Sequence, residues 1–264
     1  MISKQQHGPW ALIVGGSEGL GESFADRLAA AGIHLVLLAR NVEKMEALAT
    51  RLRAQYSVEV RICVADLTAP DMLDTVKDVT EGLEIGTLLY IAGAGGKPYP
   101  LIDQPWDEAL ATIQLNVVGQ TALARHFGKA MADRQRGAIL LVGSLGCVAG
   151  SKKLAVYTAA KAYTQILAEG LWAELTPLSV DVAALLIGRT RTPALERSEF
   201  GNSGEMAVAE TDDVADFALE NLQNGPVIVP PELQQAFDGL RSMPRRKAVE
   251  IMTRSLEPQT SSEK

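Results

Sequence analysis

Two side chains that could move a proton stand four positions apart in the stretch Y-T-A-A-K, where small residues separate Tyr157 from Lys161. If residues 156–175 form a helix, both side chains lie on one face, because positions i and i+4 are neighbours on a helix surface. A free tyrosine has a pKa of about 10, and a nearby ammonium would stabilise the phenolate and lower that pKa. The pair could therefore donate or accept a proton near neutral pH, or it could be two surface side chains.

Ser144 and Asn116 are two further polar residues that could join this chemistry. Ser144 follows the apolar run 138–142, and its hydroxyl could hydrogen-bond a carbonyl oxygen and hold it near Tyr157. Asn116 lies in the helical pattern 107–135. Taken alone, such a serine is usually a helix cap and such an asparagine is usually packed or solvated. The two become candidates only in combination with Tyr157 and a cofactor site.

A glycine-rich turn, G-G-S-E-G-L-G at 15–21, follows the apolar run 10–14 and precedes the helical pattern 24–31. Its glycines let the backbone turn tightly and approach a ligand closely. The free N–H groups of the following helix would face the turn, an arrangement that favours a pyrophosphate. Strand, glycine turn and helix in this order are the context in which such a pattern binds a dinucleotide.

Seven short apolar runs alternate with helical patterns along the chain. Most of them are continuous rather than alternating, which is typical of parallel strands covered by helices on both faces. The runs are 10–14, 34–38, 61–65, 87–92, 138–142, 180–186 and 226–229. We therefore predict a doubly wound α/β Rossmann fold with about seven parallel strands. Because no linker rich in Gly, Ser or Pro interrupts the pattern, we expect one domain over residues 1–264.

The end of the second run indicates which dinucleotide binds. In this fold an acidic residue there holds the ribose hydroxyls of NAD, whereas an arginine accommodates the 2′-phosphate of NADP. Here the run ends in Ala39 and Arg40 without a carboxylate, so NADP(H) is favoured over NAD(H). Two alternatives stay open: Arg40 could end the strand in solvent, and Glu18 in the turn would repel a phosphate if it pointed inward.

Taken together, these motifs make the chain resemble the short-chain dehydrogenase/reductase family over roughly residues 8–230, with a weaker likeness to its hydroxysteroid dehydrogenase-like branch. The matched positions are Gly15, Gly19, Leu20 and Gly21 of the glycine pattern, Asp66, the stretch Y-I-A-G at 90–93, Asn116, the series Ser144, Tyr157 and Lys161, and I-G-R-T-R-T at 187–192. Three positions depart from the family pattern: Val14 replaces a Thr, Tyr90-Ile91 replace an Asn pair, and Ile187 replaces a Pro.

The resemblance implies roles for individual residues. Tyr157 would be the acid/base, Ser144 would hold the carbonyl, and Lys161 would also hold the nicotinamide ribose. Asn116 would support a water-linked proton relay to Lys161. The expected cofactor contacts are Gly15, Ser17, Gly19, Leu20, Gly21, Arg40, Asp66, Leu67, Ala92, Gly93, Tyr157, Lys161, Gly188 and Thr192. No metal is expected, because no Cys/His cluster or H-E-x-x-H motif occurs.

Composition excludes other classes of protein. The net charge of −7 disfavours nucleic-acid binding, which calls for a basic surface. Three histidines, none beside a nucleophile, argue against a hydrolase. The two cysteines, Cys63 and Cys147, lie in apolar runs and are expected to be buried free thiols. With no signal-peptide core and no apolar run of about 18 residues, we expect a cytoplasmic protein.

Two segments should shape the substrate side. Residues 189–211 form the least regular stretch and are a candidate lid over the substrate, contributing Leu195, Phe200, Met206 and Val208. The extension at 232–257 has apolar residues at helical spacing with basic neighbours, and Pro244 should divide it into two helices. Such a segment could touch a membrane surface, but packing on its own domain or on a sister subunit is favoured.

The function expected from the sequence is hydride transfer between nicotinamide and a hydrophobic ketone or secondary alcohol, as in a carbonyl reductase or hydroxysteroid dehydrogenase. The arginines of the 189–211 loop leave an anionic substrate open. The alternatives are an NAD(H)-dependent alcohol dehydrogenase of the same family, or a dinucleotide-binding sensor or scaffold without turnover. The resemblance also implies a homodimer or homotetramer, in which the helices at 107–135 and 156–175 pack across subunits.

Overall fold

A computed structural model describes residues 2–94, 96–197 and 207–256 and contains a seven-stranded parallel sheet of order β3-β2-β1-β4-β5-β6-β7. The strands are β1 Trp10–Val14, β2 His34–Ala39, β3 Val60–Val64, β4 Ile85–Tyr90, β5 Gly137–Ser144, β6 Val180–Ile187 and β7 Val227–Ile228. Each strand falls on one of the seven apolar runs of the sequence. The prediction of a single doubly wound α/β domain is confirmed.

Helices connect the strands and cover both faces of the sheet. They are α1 Lys4–His7, α2 Leu20–Ala30, α3 Val42–Tyr56, α4 Met72–Thr80, α5 Trp106–Ile113, α6 Gly119–Asp133, α7 Ala155–Leu175, α8 Pro193–Glu196, α9 Thr211–Asn221, α10 Pro231–Ser242 and α11 Arg245–Leu256. Local chemistry sets their ends. The Asn41 side chain caps α3 by accepting from the Lys44 amide at 2.9 Å, and Pro244 separates α10 from α11 as predicted.

The hydrophobic core has two layers, one on each face of the sheet. Successive strand residues point to opposite faces, so Leu12 and Val14 pack with α4, α6 and α7, whereas Ala11 and Ile13 pack with α2, α3 and α9. All four side chains are fully buried. Burial on both faces explains why the strands read as continuous apolar runs, and it fixes the strand ends that carry the site.

The strand order reverses at β1, which lies between β2 and β4. In open α/β sheets, ligands bind at the carboxyl edge beside such a reversal. The glycine turn after β1 is tied down there, because the Gly15 amide donates to the Leu38 carbonyl at 2.9 Å and the Ala92 amide donates to the Val14 carbonyl at 2.9 Å. The fold thus creates a crevice at the glycine turn, where the sequence predicts the cofactor.

Two stretches differ from the sequence prediction. The pattern at 107–135 is not one helix, since a turn of π-helix, Gln114–Val118, separates α5 from α6. The stretch 189–211 is more ordered than expected: it contains α8, and Thr190 pairs with Ala209 in an isolated bridge. Residues 198–206, with Phe200 and Met206, lie outside the described part of the chain.

The C-terminal helices pack on the domain itself. Phe237 and Leu240 of α10 and Met252 of α11 are buried in the core, and the Arg245 Nη1 donates to the Val148 carbonyl at 2.9 Å. This arrangement agrees with the favoured alternative for the extension. Among the described residues, no helix combines the length and the apolar character that crossing a membrane requires.

Candidate active site

A cleft of about 830 Å³ runs along the carboxyl edge of the sheet. Its lining contains ten of the predicted cofactor residues: Gly15, Ser17, Leu20, Gly21, Arg40, Asp66, Leu67, Ala92, Gly93 and Thr192. The other four predicted cofactor residues, Gly19, Tyr157, Lys161 and Gly188, are not part of this lining. A Cβ on Gly19 would lie 3.1 Å from the Thr192 side chain, and one on Gly188 would lie 3.2 Å from Leu233.

The glycine turn presents free backbone donors to this cleft. Gly19 precedes α2 with φ of 58°, in the left-handed region that favours glycine, and no side chain caps the helix. The first N–H groups of α2 are thus left for a ligand, and an anion there is favoured by the helix dipole. Gly21 lets the first turn of α2 pack closely against the glycine turn, because a Cβ on it would lie 2.1 Å from the Gly15 carbonyl oxygen. These features fit a pyrophosphate.

Charged side chains surround the end of the cleft beside β2. Arg40 makes no hydrogen bond or ion pair with any other residue in the described ranges, so its guanidinium is available to a ligand. Glu18 does not point at the cleft alone: its carboxylate forms ion pairs with Lys44 and Arg197. The hydrogen bond from Arg197, helped by Lys44, lowers the pKa of Glu18. A phosphate at this end would therefore meet a Glu18 charge that two cations already balance.

Asp66 holds the turn after β3 at the same end. Its Oδ1 accepts hydrogen bonds from the Thr68 amide at 2.9 Å and from the Thr68 hydroxyl at 2.8 Å. These two bonds, with a smaller contribution from the Arg40 charge, lower the pKa of Asp66. A fixed carboxylate beside Leu67 suits a contact to the adenine ring of a dinucleotide, and the resemblance implied a cofactor contact at Asp66.

The sheet and α7 bring Ser144 and Tyr157 together. Ser144 ends β5, and its Oγ accepts from the Gly146 amide at 3.1 Å. A Cβ on Gly146 would lie 3.4 Å from this Oγ and 3.7 Å from the Tyr157 ring, so the two side chains are neighbours. Burial raises the pKa of Tyr157, and the nearby Ser144 only partly opposes that rise. The sequence predicted a lowered pKa, and the structure shows the opposite direction.

Lys161 does not offset this rise. It is 5% exposed, and its Nζ donates to the Val142 carbonyl at 3.1 Å. Burial lowers the pKa of Lys161 to about 8, so its ammonium is lost as the pH rises above that value. The Nζ lies 5.8 Å from the centre of the Tyr157 ring, close enough for a cation–π contact. The predicted i, i+4 pairing on one helix face is present.

Asn116 lies in the π-helical turn, where such turns often mark functional sites. Its Nδ2 donates to the Ala94 carbonyl at 3.0 Å and the Thr112 carbonyl at 2.9 Å. Its Oδ1 is buried and has no partner. A Cβ on Gly93 would lie 2.6 Å from the Lys161 Nζ and 2.8 Å from this Oδ1, so the two atoms are close enough for one water to bridge them.

Some residues around the site were not found from the sequence. Tyr90 appeared only as a departure from the family pattern, yet its hydroxyl donates to the Leu115 carbonyl at 2.5 Å. Gln120 is 1% exposed and bonds Thr164 of α7 at 2.9 Å. A buried amide inside a helix cannot be told from a solvated one by sequence pattern. Only the unusual Tyr in the Y-I-A-G stretch was a usable signal.

Other reactive groups are absent from the described site. No group of three or more His, Cys, Asp or Glu side chains is arranged to hold a metal in the described ranges. Cys63 and Cys147 are free and buried, as predicted. Burial raises the pKa of the Cys63 thiol to about 11 and that of Cys147 to about 12, so neither is a thiolate at neutral pH.

A parallel sheet with a phosphate-binding turn, and a Ser, Tyr and Lys beside the cleft, define a dinucleotide-dependent oxidoreductase of the Rossmann class. Residues 9–201 match the family model described as short chain dehydrogenase. The chain therefore belongs to the short-chain dehydrogenase family, and it is an NAD(P)-dependent oxidoreductase. Both expectations from the sequence are confirmed.

Individual relatives narrow the comparison. A 7beta-hydroxysteroid dehydrogenase of Collinsella aerofaciens is 34% identical over 228 residues, which cover 84% of this chain and 86% of that protein. A solved structure from a study of 7beta-hydroxysteroid dehydrogenase stereoselectivity has a TM-score of 0.87 at 28% identity, covering 96% of this chain and 99% of its own. A Sphingobium yanoikuyae short-chain dehydrogenase in complex with NADPH has a TM-score of 0.77 at 33% identity, covering 90% and 97%.

Proposed function

We propose that this protein is an NADP(H)-preferring dehydrogenase that interconverts a bulky hydrophobic ketone, such as a steroid, and its secondary alcohol. The observation that carries the proposal is that Ser144 and Tyr157 are neighbours around Gly146, with Lys161 on the same helix face as Tyr157, beside a cleft suited to a dinucleotide. Nicotinamide, when bound, supplies or accepts the hydride. The residues of the chain manage the proton and the orientation.

Tyr157 acts as the general acid in the direction of reduction. Because burial keeps its pKa high, the phenol is protonated at neutral pH and donates its proton to the carbonyl oxygen. Ser144 hydrogen-bonds the same oxygen and holds the carbonyl at reacting distance. In oxidation the phenolate oxygen takes the hydroxyl proton back, once the cationic surroundings have stabilised it.

Lys161 and Asn116 form the route that resupplies the proton. The Lys161 ammonium binds ribose hydroxyls and stabilises the phenolate of Tyr157 electrostatically. The unpartnered Oδ1 of Asn116 accepts a hydrogen bond from a water that also contacts the Lys161 Nζ. Such a chain returns a proton to the Tyr157 oxygen after each reduction and avoids leaving a phenolate in the site.

The preference for a bulky apolar substrate has two supports. Cys147, Val148 and Ala149, which follow Ser144, supply an apolar wall packed against the C-terminal helices. Two of the comparison proteins reported above are 7beta-hydroxysteroid dehydrogenases. In the described parts of the stretch 189–211, Arg191 and Glu210 form an ion pair of 2.7 Å.

The preference for NADP(H) also has two supports. Arg40 is available at the end of β2 without a competing carboxylate at Ala39. The Sphingobium relative was solved with NADPH. A titration of the protein with NADPH and with NADH tests this part, and tighter binding of NADH would contradict it.

A screen of bulky ketones and secondary alcohols tests the activity. Steroid ketones, aliphatic ketones and small polar carbonyls are each incubated with NADPH, and the loss of nicotinamide absorbance is followed. We expect turnover with the steroid set and little with small polar carbonyls. Turnover confined to small polar carbonyls would overturn the substrate class, and no turnover with any set would favour a binding protein.

We extend the proposal to assembly and location. The α5–α7 side of the molecule exposes several large apolar side chains: Leu101, Ile102, Trp106, Val118 and Ile166. Trp106 is 71% exposed and Ile102 is 93% exposed, which suits an interface with a second copy. Light scattering measures the oligomeric state, and a monomer would contradict this proposal.

The proposed location is the cytoplasm. Two buried free thiols are consistent with its reducing conditions.

A further inference from the structure

Three consecutive carbonyls in the π-helical turn accept hydrogen bonds from side chains. The Tyr90 hydroxyl donates to Leu115, the Gln120 amide donates to Asn116, and the Thr121 hydroxyl donates to Val117. A regular α-helix would give each of these carbonyls a backbone N–H four residues later. Side chains from β4 and α6 thus hold a stretch that departs from the regular pattern.

The bond from Tyr90 competes directly with the regular pattern. The Gly119 amide donates to Gln114, five residues earlier, instead of to Leu115, four residues earlier. Leu115 is the acceptor that Gly119 would use in an α-helix, and the Tyr90 hydroxyl occupies it at 2.5 Å. Tyr90 is 2% exposed and burial raises its pKa, so its hydroxyl remains a donor.

Gly119 leaves room for the Tyr90 hydroxyl because it has no side chain. A Cβ on Gly119 would lie 2.7 Å from the Tyr90 Oη, closer than real Cβ contacts allow. The neighbouring Gln120 links the turn to α7, because its Nε2 also donates to the Thr164 hydroxyl at 2.9 Å. Thr164 lies one turn beyond Lys161 on α7. The π-helical turn is therefore tied on one side to β4 and on the other to the helix that carries the proton-transfer pair.

We propose that Tyr90 is a positioning residue that, together with Gly119, holds the π-helical turn and aims the Asn116 Oδ1 toward Lys161. The effect on turnover rests on the proposed function, in which Asn116 serves the proton route. Tyr90 touches neither substrate nor cofactor in this account, so it acts only through Asn116. It stands where the family pattern has an asparagine, and this hydrogen bond gives that departure a role.

The kinetic test is a double-mutant cycle. Tyr90→Phe removes only the hydroxyl, and we expect kcat to fall about tenfold with the KM for NADPH unchanged, since a misplacement of ~1 Å can cost up to about 10²-fold. In an Asn116→Ala background the same change should have no further effect, because its target is gone. A merely structural role would lower kcat by the same factor in both backgrounds, and that result would overturn the proposal.

Gly119→Ala provides a second variant in case Tyr90→Phe folds poorly. Alanine is the better helix former, yet we expect the same loss of kcat, because the added methyl displaces the hydroxyl. Combined with Tyr90→Phe, the alanine should cost nothing more. Matched controls are Tyr56→Phe, whose hydroxyl donates to Asp26 and which is not part of the cleft lining, and Gly239→Ala, where a Cβ meets nothing within 4 Å. Both should keep full activity.

A crystal structure of Tyr90→Phe separates this inference from the proposed function. We expect the Gly119 amide to move to the Leu115 carbonyl and the Asn116 side chain to shift. If the hydrogen bond from Gly119 to Gln114 and the Asn116 side chain both stay in place, the proposal is wrong whatever the activity. If Asn116 shifts and kcat does not change, the positioning holds, and the role given to Asn116 in the proton route fails instead.

Discussion

The two ends of the cleft differ in how their polar groups are held. At the end beside Tyr157, the proton-transfer end, Asn116 and Lys161 are 1% and 5% exposed and donate hydrogen bonds to backbone carbonyls. At the end beside β2, the ribose end, the side chains of Lys44 and Arg197 are 46% and 60% exposed and form ion pairs with another side chain, Glu18. Buried groups hydrogen-bonded to the backbone keep one geometry, whereas exposed ion pairs are screened and adaptable.

The comparison indicates where each property of the enzyme is decided. Under the proposed function, the buried end sets whether the reaction occurs, because its groups must keep one arrangement relative to the reacting atoms. The exposed end then sets which dinucleotide is preferred, and it can change at low cost in rate. Substitutions at the two ends should therefore differ in size and in the kinetic constant that they affect.

Among the residues around Tyr157, the largest effect is expected from Lys161→Ala at the buried end. It removes the charge beside Tyr157 and a ribose contact together, so kcat/KM should fall about 10³-fold, within the range for loss of acid–base catalysis. The exposed Lys152, changed to Ala, is the matched control and should leave kcat/KM unchanged. Steady-state kinetics with NADPH checks both, and equal effects of the two lysines would break the comparison.

Ser144→Ala should have the next largest effect. The phenol remains in place, but the carbonyl loses a hydrogen bond that orients it, so kcat should fall about 10²-fold. Ser242→Ala, in α10 and outside the cleft, serves as the control. If Ser144→Ala raised only the KM, the serine would be a binding contact rather than part of the proton-transfer end.

The pH dependence of kcat/KM should report the buried lysine. Since burial lowers the pKa of Lys161 to about 8, the ammonium of the free enzyme is lost as the pH rises through that value. For reduction we expect kcat/KM to be level below about 8 and to fall about tenfold per pH unit above it. A profile that stays level to pH ~10, the ordinary range of a lysine, would contradict this assignment.

Arg40→Ala should give the smallest effect, and only on binding. Loss of a charge-assisted hydrogen bond to the 2′-phosphate should raise the KM for NADPH about tenfold, with kcat and the KM for NADH unchanged. Added salt should reduce the difference, because the group is exposed. The exposed Arg254, changed to Ala, is the control. Equal losses with NADPH and NADH would mean that Arg40 does not read the phosphate.

Most of the fold could be predicted because it follows from local patterns. The seven apolar runs gave the seven strands, since burial on both faces leaves a continuous apolar signature in the sequence. The glycine turn at 15–21 was readable for a similar reason, because its backbone needs residues without a side chain. The places of Ser144 and Tyr157 could be anticipated, since the end of β5 and the start of α7 must meet at the carboxyl edge.

Other features could not be predicted, because they depend on contacts between distant parts of the chain. The π-helical turn depends on Tyr90, which lies in strand β4, distant in sequence, and gives no helical signal. The rise in the pKa of Tyr157 comes from the burial of Tyr157 itself, a tertiary property that spacing does not report. Glu18 was judged by its charge alone, while its partners, Lys44 and Arg197, come from other elements.

The most direct test of the account is Tyr157→Phe, with NADPH binding and ketone reduction measured on the same preparation. The phenol is the proposed proton donor and contributes little to the dinucleotide cleft. We predict that reduction falls by about 10³-fold or more, while NADPH binds with unchanged affinity. A variant that reduces the true substrate at the wild-type rate would contradict the central claim that Tyr157 is the acid/base.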